Sequence, residues 1–585
     1  MNEIKYDDMV DVLFFQTGKK GEITRHKQEA NRGFLSQYRT HLEILIFVFL
    51  IAIGIICGYI GFFEHLELNL NLGNFLQVTF NVLQLFVFQF SFESPVPWTL
   101  EIARFVCPIA LYLFAIAAFL KIFQGKIKLI MLSMKKNHVV ICGLDKNVIQ
   151  LISDFKDNKE NVVVIEMKGN NVNILKAESL GAIVLIGEYS DFFMLTKARI
   201  HRAKYLVAFT DDDYQNIEVA INANRIIKQK HPKKAKKKAK IKCFVHIRDT
   251  DLRSTEFLLD PHPSFVLKTF NIFENSTRFL YLSKAIEPIL KIWSERKQVH
   301  LLIVGFKEMG EAVLLQAAKL GMFPDGEKLR FTILDQNINI QKDNFMYRYP
   351  NIEEICDLTF KELELDNLLE FKKKIQIGED QQNVSAIFLC LDDKSLEIQY
   401  KDCLISELEH KKIPIYIHID DNEEVIKLPT SYPIFAFGLV ENSSNREFIV
   451  NEKLDDLAKL IHDDYRSKFK EMPEWDKLIN FKKDSNRLQA DHNLIKLKTI
   501  SRRIAHFNGK YPREFKFTDE ELELLARMEH NRWCAEQYIY IKDLTQNRPD
   551  DLKPFDELQD TEKNKDYNAV QRIPSLLAGK KIEIR

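Results

Sequence analysis

Two apolar runs without acidic or basic residues lie near the start of the chain and predict helices. The first extends over the twenty residues Ile44–Phe63, and the second over Phe105–Leu120. About twenty apolar residues in a helix match the hydrocarbon thickness of a bilayer. The two runs therefore predict two membrane-spanning helices, whereas the pattern after Leu120 is that of soluble protein.

The stretch between these runs, Phe75–Phe92, is apolar but interrupted by amides. Gln77, Asn81 and Gln84 fall at positions i, i+4 and i+7, on one stripe of a helix. Such side chains are costly against lipid but are satisfied by a water-filled pore or a neighbouring subunit. We therefore expect a re-entrant segment, because irregular membrane segments need such cover. Its expected pore residues are Gln77, Asn81, Gln84, Gln89 and Glu93. The alternatives are a hydrogen-bonded seam in a non-conducting anchor and, for Glu93, an ordinary loop carboxylate.

Basic residues flank the two apolar runs on their outer sides. Lys19, Lys20, Arg25, Lys27, Arg32 and Arg39 precede the first run, and Lys121, Lys126, Lys128, Lys135 and Lys136 follow the second. The positive-inside rule places both termini in the cytoplasm and Glu64–Asn74 outside, with an even number of crossings. The expected location is the cell inner (plasma) membrane.

Pro108 stands inside the second apolar run. Proline lacks the backbone N–H that a helix interior requires, so it weakens or bends the helix there. We expect a gating hinge at this residue, and the alternative is a static kink accommodated by neighbouring helices.

Composition narrows the remaining choices. A chain of 585 residues with 83 basic and 83 acidic side chains should form several domains, and its balanced charge gives no reason to expect a nucleic-acid partner. The eight cysteines include no C-x-x-C pair. We therefore expect neither a disulfide framework nor a metal site, which suits a reducing compartment.

From residue 138 onward, short apolar runs alternate with helical patterns. His138–Cys142 ends at Gly143, and Val162–Ile165 ends at Glu166. Further runs are Ile183–Ile186, Tyr205–Phe209 and Cys243–Ile247. This alternation predicts a doubly wound parallel sheet with a crevice at the carboxyl ends of its strands.

The crevice carries an incomplete nucleotide motif. Gly143 permits a tight turn and Glu166 stands where a carboxylate can bind ribose hydroxyls. Asp145 and Val148 occupy the places of the second and third glycines, and Asp145 would repel a pyrophosphate. Ordinary dinucleotide binding is therefore not expected there.

Residues 138–247 resemble an RCK (TrkA-N) domain. The resemblance is carried by E-S-L-G-A at 178–182, S-D-F-F-M-L-T-K-A-R-I-H-R-A at 190–203 and L-V-A-F-T-D-D-D-Y-Q-N at 206–216. It implies a gating lobe that dimerises and acts on pore helices through a linker, here Gln124–Lys136. The ligand-facing residues that it implies are Gly143, Glu166, Asp211 and Asn216.

The pattern then repeats from His300. G-F-K-E-M-G keeps Gly305 and Gly310, and a second apolar run ends at Asp335. This resembles a second, more divergent RCK-like lobe. Tandem lobes imply a homotetramer with an eight-lobed ring.

The C-terminal segment is helical and rich in charged and aromatic residues. L-L-A-R-M-E-H-N-R-W-C-A-E at 524–536 and L-K-P-F-D-E-L-Q-D-T-E-K-N-K-D at 552–566 resemble the ryanodine receptor (RyR) repeat domain, although Tyr540–Asp543 replaces the family's Gly-Trp. Aromatic and cationic side chains can stack a base and pair a phosphate. The candidate ligand residues are His530, Arg532 and Trp533, with Arg487 and His492 from the preceding helix. The alternative is a packed two-helix core.

The expected fold is an α-helical two-span membrane pore domain, tandem α/β Rossmann-like RCK lobes and a small, mainly α C-terminal domain. The expected boundaries are an N-terminal segment 1–40, a pore domain 41–124, a linker 125–136, lobes 137–297 and 298–450, and a RyR-like domain 451–585. We also expect that deletion from about Glu452 would leave a folded membrane oligomer.

No H-E-x-x-H, G-x-S-x-G or P-loop motif is present, so no enzymatic activity is expected. The expected function is a ligand-gated ion channel, selective for cations, with membrane lipids and permeant ions as further partners. Its expected ligand is a nucleotide or a nucleotide-derived second messenger, and the RyR resemblance implies stress or phage-defence signalling. The alternative is a non-conducting, membrane-anchored nucleotide sensor or scaffold.

Overall fold

The computed structural model describes residues 45–69, 71–89, 95–134, 136–230, 241–249, 252, 262–294, 298–322, 328–364, 367–376, 384–408, 412–419 and 432–585. Within these residues the chain forms two compact units, which divide between Lys136 and Asn137. Glu93 lies outside the described residues.

The first unit consists of three helices. They are α1 (Leu45–His65), α2 (Leu72–Leu85) and α3 (Trp98–Met134). In the described part of the chain, α1 and the Trp98–Phe119 part of α3 are long and apolar enough to cross a membrane, which confirms the two predicted apolar helices. Pro108 lies inside α3 without ending it, and the expected linker 125–136 is mostly a continuation of this helix.

Glycines on one face of α1 let the three helices approach closely. A Cβ atom at Gly54 would lie 2.8 Å from the Cys107 sulfur, and one at Gly61 would lie 2.6 Å from Leu100 Cβ. Gly58 faces Val82 on α2 in the same way. Small residues at helix contacts are typical of membrane bundles, where close packing replaces the hydrophobic effect.

The second unit begins with a six-stranded sheet. Its strands are β1 (Val139–Cys142), β2 (Val162–Glu166), β3 (Ile183–Ile186), β4 (Tyr205–Ala208), β5 (Ile241–His246) and β6 (Phe265–Phe270). The order is β3-β2-β1-β4-β5-β6 and every pairing is parallel. Its helices are α4 (Lys146–Asp157), α5 (Asn173–Ser179), α6 (Phe192–Lys197) and α7 (Asp213–Lys230). This is the Rossmann order that the alternation predicts.

A second sheet repeats the arrangement. Its strands are β7 (His300–Val304), β8 (Leu329–Asp335), β9 (Cys356–Glu362), β10 (Val384–Leu389), β11 (Ile415–His418) and β12 (Ile434–Phe437). The order β12-β11-β10-β7-β8-β9 is again parallel throughout, so the predicted internal repeat is confirmed.

Eight helices belong to the connections before, within and after the second sheet. They are α8 (Ile272–Leu282), α9 (Glu287–Ser294), α10 (Glu308–Leu320), α11 (Ile338–Arg348), α12 (Leu368–Gln376), α13 (Lys394–Leu408), α14 (Val440–Ser443) and α15 (Arg446–Ile449). After β12 the chain returns to the first lobe, where the Ser444 hydroxyl donates to Asn147 at 3.0 Å.

The C-terminal segment is mainly helical. It contains α16 (Asp456–Lys468), α17 (Asn480–Thr499), α18 (Asp519–Tyr540), α19 (Leu544–Asn547), α20 (Asp560–Gln571) and α21 (Ile573–Ala578). A short antiparallel pair, β13 (Ile504–His506) and β14 (Ile582–Ile584), joins its ends. Thr518 and Glu521 form a capping box that starts α18.

The C-terminal helices and the second lobe share one hydrophobic core. Leu301 and Phe331 from the sheet belong to the same buried cluster as Ile495 and Leu525 from α17 and α18. Deletion from Glu452 would open this core to water, so the expectation that the remaining chain stays intact is at odds with the structure.

Candidate ligand site

The first-lobe crevice has the turn that the sequence predicts, but its phosphate position is taken. Gly143 has φ +108°, and a Cβ there would overlap the Phe209 carbonyl oxygen. The Asp145 carboxylate caps α4 by accepting hydrogen bonds from Val148 N and Asn147 Nδ2, both at 2.8 Å. Burial raises the pKa of Asp145. The chain's own carboxylate thus occupies the helix N-terminus, where a phosphate would bind.

The other predicted residues of this crevice are engaged within the protein or open to solvent. Glu166 is buried and accepts hydrogen bonds from Lys168 N at 2.8 Å and the Tyr189 hydroxyl at 3.2 Å. Asn216 is fully buried and bonds to Thr210 and the His246 carbonyl. Asp211 is exposed. The crevice therefore presents few unused polar groups to a nucleotide.

A cleft of about 370 Å³ lies between the two lobes. Arg248, after β5, donates to Asp213 at 3.3 Å and to Glu308 on α10 at 3.0 Å. Glu311 and Arg348 form a bidentate pair at 2.5 and 2.6 Å on the second-lobe side. These arginines and carboxylates neutralise one another, so the cleft acts as a salt-bridged seam between the lobes. The sequence did not indicate it, because its residues come from distant segments.

A second cavity, of about 340 Å³, lies among the C-terminal helices. We call it the C-terminal cavity. Its wall is formed by His462, Tyr465, Met472, Leu478, Lys482, Ser485, Asn486, Gln489, Glu529, His530, Arg532, Trp533, Asp551, Leu558, Glu562, Lys565, Asp566 and Ala569. The predicted His530, Arg532 and Trp533 are therefore brought together. The volume lies at the small end of the range for ligand pockets, about 300–1,000 Å³.

The floor of the C-terminal cavity is a buried ionic network. Arg532 is 4% exposed and donates to Glu529 at 3.1 Å and Glu536 at 2.6 Å, while Lys496 donates to Glu529 at 2.5 Å. Burial opposes the charge of Glu529, but Arg532 and Lys496 outweigh it and lower the pKa of this carboxyl. The Arg532 guanidinium is thus committed to two carboxylates and is not free to pair a phosphate.

His530 forms the side of the cavity next to Trp533. Its Nε2 atom lies 2.7 Å from the Lys553 carbonyl, its Nδ1 atom lies 3.5 Å from Asp566, and its ring stacks on Trp533 at 5.8 Å between centroids. Burial disfavours the charged imidazole, yet the bond to Asp566 and further acceptors raise the pKa of His530 to about 10. Burial also raises the pKa of Asp566. We place the shared proton on His530, because both ring nitrogens then have an acceptor.

One face of α17 supplies unused polar groups to the C-terminal cavity. Lys482, Ser485, Asn486 and Gln489 follow the spacing i, i+3, i+4, i+7 and all line it. Gln489 is only 9% exposed, yet its amide has no partner within the described part of the chain. Reasoning from sequence missed this stripe, although its helical period was a readable signal.

Arg487 and His492 do not line the C-terminal cavity. Arg487 binds Asp455 at 2.6 Å and Asp484 at 2.7 Å. His492 is fully buried, and this burial lowers its pKa well below the usual value. Both are placed as structural residues of α17, away from the wall that a ligand would touch.

The predicted pore residues lie on or just after α2. Val78, Val82 and Leu85 form its buried face, while Gln77 is exposed and Asn81 and Gln84 are half-buried. Gln89 follows the helix and is exposed. The predicted amide stripe is therefore next to the packed face of α2, not within it.

Comparisons with known proteins agree on the first lobe. Residues 139–245 match the TrkA-N domain family. A comparison with curated proteins found no match. Among solved structures, GsuK bound to ADP has 16% identity over 72% of this chain and 99% of its own, with a TM-score of 0.39. The GsuK channel bound to NAD has 15% identity over 75% and 85%, with 0.38. A dipicolinate synthase from Bacillus halodurans has 8% identity over 58% and 98%, with 0.20. At these TM-scores, the fold assignment depends on the strand order and the family match.

Proposed function

We propose that this chain is a ligand-gated ion channel, assembled as a homotetramer in the cell inner membrane and selective for cations. Its cytosolic lobes transmit the binding of a nucleotide-type ligand to the membrane helices. The observation that carries the proposal is the order of parts: an apolar three-helix unit leads through one continuous helix to a TrkA-N domain.

The length of α2 supports a re-entrant segment. Its fourteen residues span about 21 Å at about 1.5 Å per residue, less than the hydrocarbon thickness of about 30 Å. It enters and leaves on one side, with α1 and α3 as the complete crossings. Leu72, Phe80 and Leu83 on α2 are more than half exposed. In a tetramer, lipid or neighbouring subunits would cover such side chains, and the amide stripe would face the axis.

The continuity of α3 supports mechanical coupling. The helix runs from Trp98 through the apolar part to Met134, and the first strand of the TrkA-N domain begins at Val139. A continuous helix transmits displacement better than a flexible linker of the same length. Movement of the first lobe would therefore act directly on the second crossing, with Pro108 as the expected hinge.

The C-terminal cavity is our proposed sensor. It combines an aromatic ring, hydrogen-bonding side chains and a mononucleotide-sized volume, whereas Asp145 obstructs the first-lobe crevice. The proposed RyR-like nature of this segment is consistent with a sensory role, and with stress or phage-defence signalling. Ligand binding would gate the pore through its differential affinity for the two states.

Ion flux into liposomes that contain the purified full chain tests this function. We expect nucleotide-dependent cation flux, a four-fold closed ring, and altered conductance in Gln84→Leu with assembly near normal. Gln546→Leu, at an exposed site on α19, is the matched control. Absence of flux under all nucleotide conditions would favour a non-conducting sensor, and an unchanged Gln84→Leu channel would place the pore elsewhere.

A further inference from the structure

We infer that the C-terminal cavity binds a purine mononucleotide, which it recognises through neutral hydrogen bonds, one stacking ring and a single ammonium group. The inference rests on the proposed function and specifies the chemistry of its ligand. It differs from the expectation that Arg532 pairs the phosphate, because the guanidinium is already bonded to Glu529 and Glu536.

The unused hydrogen-bonding groups lie together on the α16–α17 wall of the cavity. Gln489 is the most buried of them, and its amide can both donate to and accept from the edge of a base. Ser485 and Tyr465 add hydroxyls that have no partner among the described residues, and the Asn486 carbonyl oxygen is also unused. A buried amide without a partner is costly, so a ligand that satisfies it gains affinity and specificity.

Trp533 supplies the surface for a base. Its indole is half-buried and lines the cavity, and His530 covers one side of the ring. The other side is therefore the one that a ligand can reach. Stacking of a base on an aromatic ring contributes about 1–3 kcal/mol, and purines offer the larger ring area.

The charges of the cavity limit the number of phosphates. The lining carries four cations, Lys482, His530, Arg532 and Lys565, and four carboxylates, Glu529, Asp551, Glu562 and Asp566. Lys565 pairs with Glu562, and the other two internal cations belong to the floor and to the His530–Asp566 pair. Lys482 is exposed and has no ion pair in the described part of the chain. One free ammonium in a neutral cavity suits one phosphate better than three.

The volume argues against a dinucleotide. About 340 Å³ accommodates a base, a ribose and one phosphate, whereas a dinucleotide has two bases and two riboses. The carboxylates Asp551 and Glu562 stand at the side opposite α17 in the lining and can accept hydrogen bonds from ribose hydroxyls.

Binding of AMP, GMP, adenosine, ATP, NAD and inorganic phosphate to the detergent-purified full chain, followed by calorimetry, tests the inference. We expect AMP or GMP to bind more tightly than NAD or ATP, and phosphate alone to compete weakly. Tighter binding of NAD or ATP, equal competition by phosphate, or no binding of either mononucleotide would overturn it.

Variants locate the ligand. Gln489→Leu should weaken the bound mononucleotide about tenfold, and Trp533→Leu should weaken it by at least as much while Trp533→Phe retains most affinity. Lys482→Gln should weaken AMP about fivefold but leave adenosine unchanged. Gln546→Leu and Lys477→Gln, both at exposed positions, are the controls. Equal loss of AMP and adenosine in Lys482→Gln, or unchanged binding in Gln489→Leu, would contradict the assignment.

The outcomes separate this inference from the proposed function. Mononucleotide binding that responds to these variants without any ion flux would retain the ligand class and reject the channel. Flux that responds to a different compound, with no mononucleotide binding, would retain the channel and reject the ligand class.

Discussion

Arg278 on α8 is the residue that fastens the C-terminal helices to the rest of the second unit. Its guanidinium, 7% exposed as a residue, donates to Asp455 at 2.8 Å and to Asp491 at 2.8 and 3.1 Å. Asp455 also accepts from Arg487. Removal of one partner from such a buried network leaves an uncompensated charge, which costs more than the net contribution of the intact pair.

Asp455→Asn should lower the free energy of unfolding of this region by about 3–5 kcal/mol. Burial opposes the charge of Asp455, but Arg487 and Arg278 outweigh it and hold its pKa well below the usual range. Its contribution is therefore complete above the unfolded pKa near 4 and disappears as the pH falls toward the folded value. Thermal unfolding of the full chain and hydrogen exchange in α16 and α17 measure the effect.

The control for Asp455 is Asp463→Asn on the same helix. Asp463 is largely exposed and lies 3.8 Å from Arg466, so its loss should change stability by less than about 1 kcal/mol. Equal effects of the two substitutions, or stability of Asp455→Asn that matches the parent above pH 5, would contradict the role of the buried network.

His530 should make stability depend on pH in the opposite direction. Its pKa of about 10 lies above the unfolded value near 6.5. Its stabilisation is therefore fully present below pH 6.5 and is lost as the pH rises through about 10. The difference in melting temperature between the parent chain and His530→Gln should shrink over this interval. Asp566→Asn should remove the same pH dependence, and a difference constant with pH would refute it.

At this scale, the sequence identified the residues of α18 better than those of α17. His530, Arg532 and Trp533 were predicted from a family resemblance and do line one cavity. Arg487 and His492 were chosen for their chemistry alone, and burial and ion pairing place them elsewhere. Charge gives no direction around a helix, whereas the period of 3.6 residues would have favoured the Ser485–Gln489 side.

At the scale of elements, the packing of α1 against α3 depends on one glycine above all. A Cβ at Gly61 would meet Leu100 N at 2.7 Å and Leu100 Cα at 2.9 Å, which are backbone atoms that cannot rotate away. The helices would have to separate to admit a methyl group. Overpacking of this kind typically costs about 1–3 kcal/mol.

Gly61→Ala should therefore lower the melting temperature of the purified membrane protein and reduce its yield of assembled oligomer. Gly73→Ala on α2 is the matched control, because a Cβ there has no atom closer than 3.6 Å. Alanine favours helix over glycine, so Gly73→Ala should be neutral or slightly stabilising. An equal loss in both variants would show that glycine flexibility, and not close contact, is what matters.

The sheets were the most predictable elements, because strands covered on both faces are continuous apolar runs. V-V-I-C at β1 and H-L-L-I-V at β7 are such runs, and both sheets have the order expected of doubly wound folds. The continuation of α3 through the expected linker was missed, since Lys and Gln residues are equally typical of a solvated helix and of a loop.

For the whole molecule, the shared core changes which experiments are informative. Because α17 and α18 share a buried cluster with the second sheet, truncation at Glu452 removes structure as well as any sensor. The sequence could not indicate this, since apolar positions on α17 identify a buried face but not its partner. Point substitutions that leave the core intact are therefore the appropriate test of signal transmission.

Helix α17 connects the C-terminal cavity with the seam between the lobes. Gln489 lines the cavity, and two residues later Asp491 is about 200° further round the helix. Asp491 accepts from Arg278 on α8 and, at 3.4 Å, from Gln316 on α10. Gln316 in turn lines the cleft in which Arg248 bonds to Glu308. A shift of α17 on ligand binding would therefore move both helices that border the seam.

Asp491→Asn should consequently uncouple binding from gating. We expect mononucleotide affinity within about threefold of the parent, because the cavity wall is unchanged, but at least a tenfold smaller ligand effect on flux, equivalent to a coupling change of about 1.4 kcal/mol. Asp484→Asn removes the same charge from α17 but breaks only a pair within that helix, so it should keep coupling. The double variant Arg278→Met with Asp491→Leu should recover stability through apolar packing without recovering coupling. Normal gating in that double variant would exclude transmission through this ion pair.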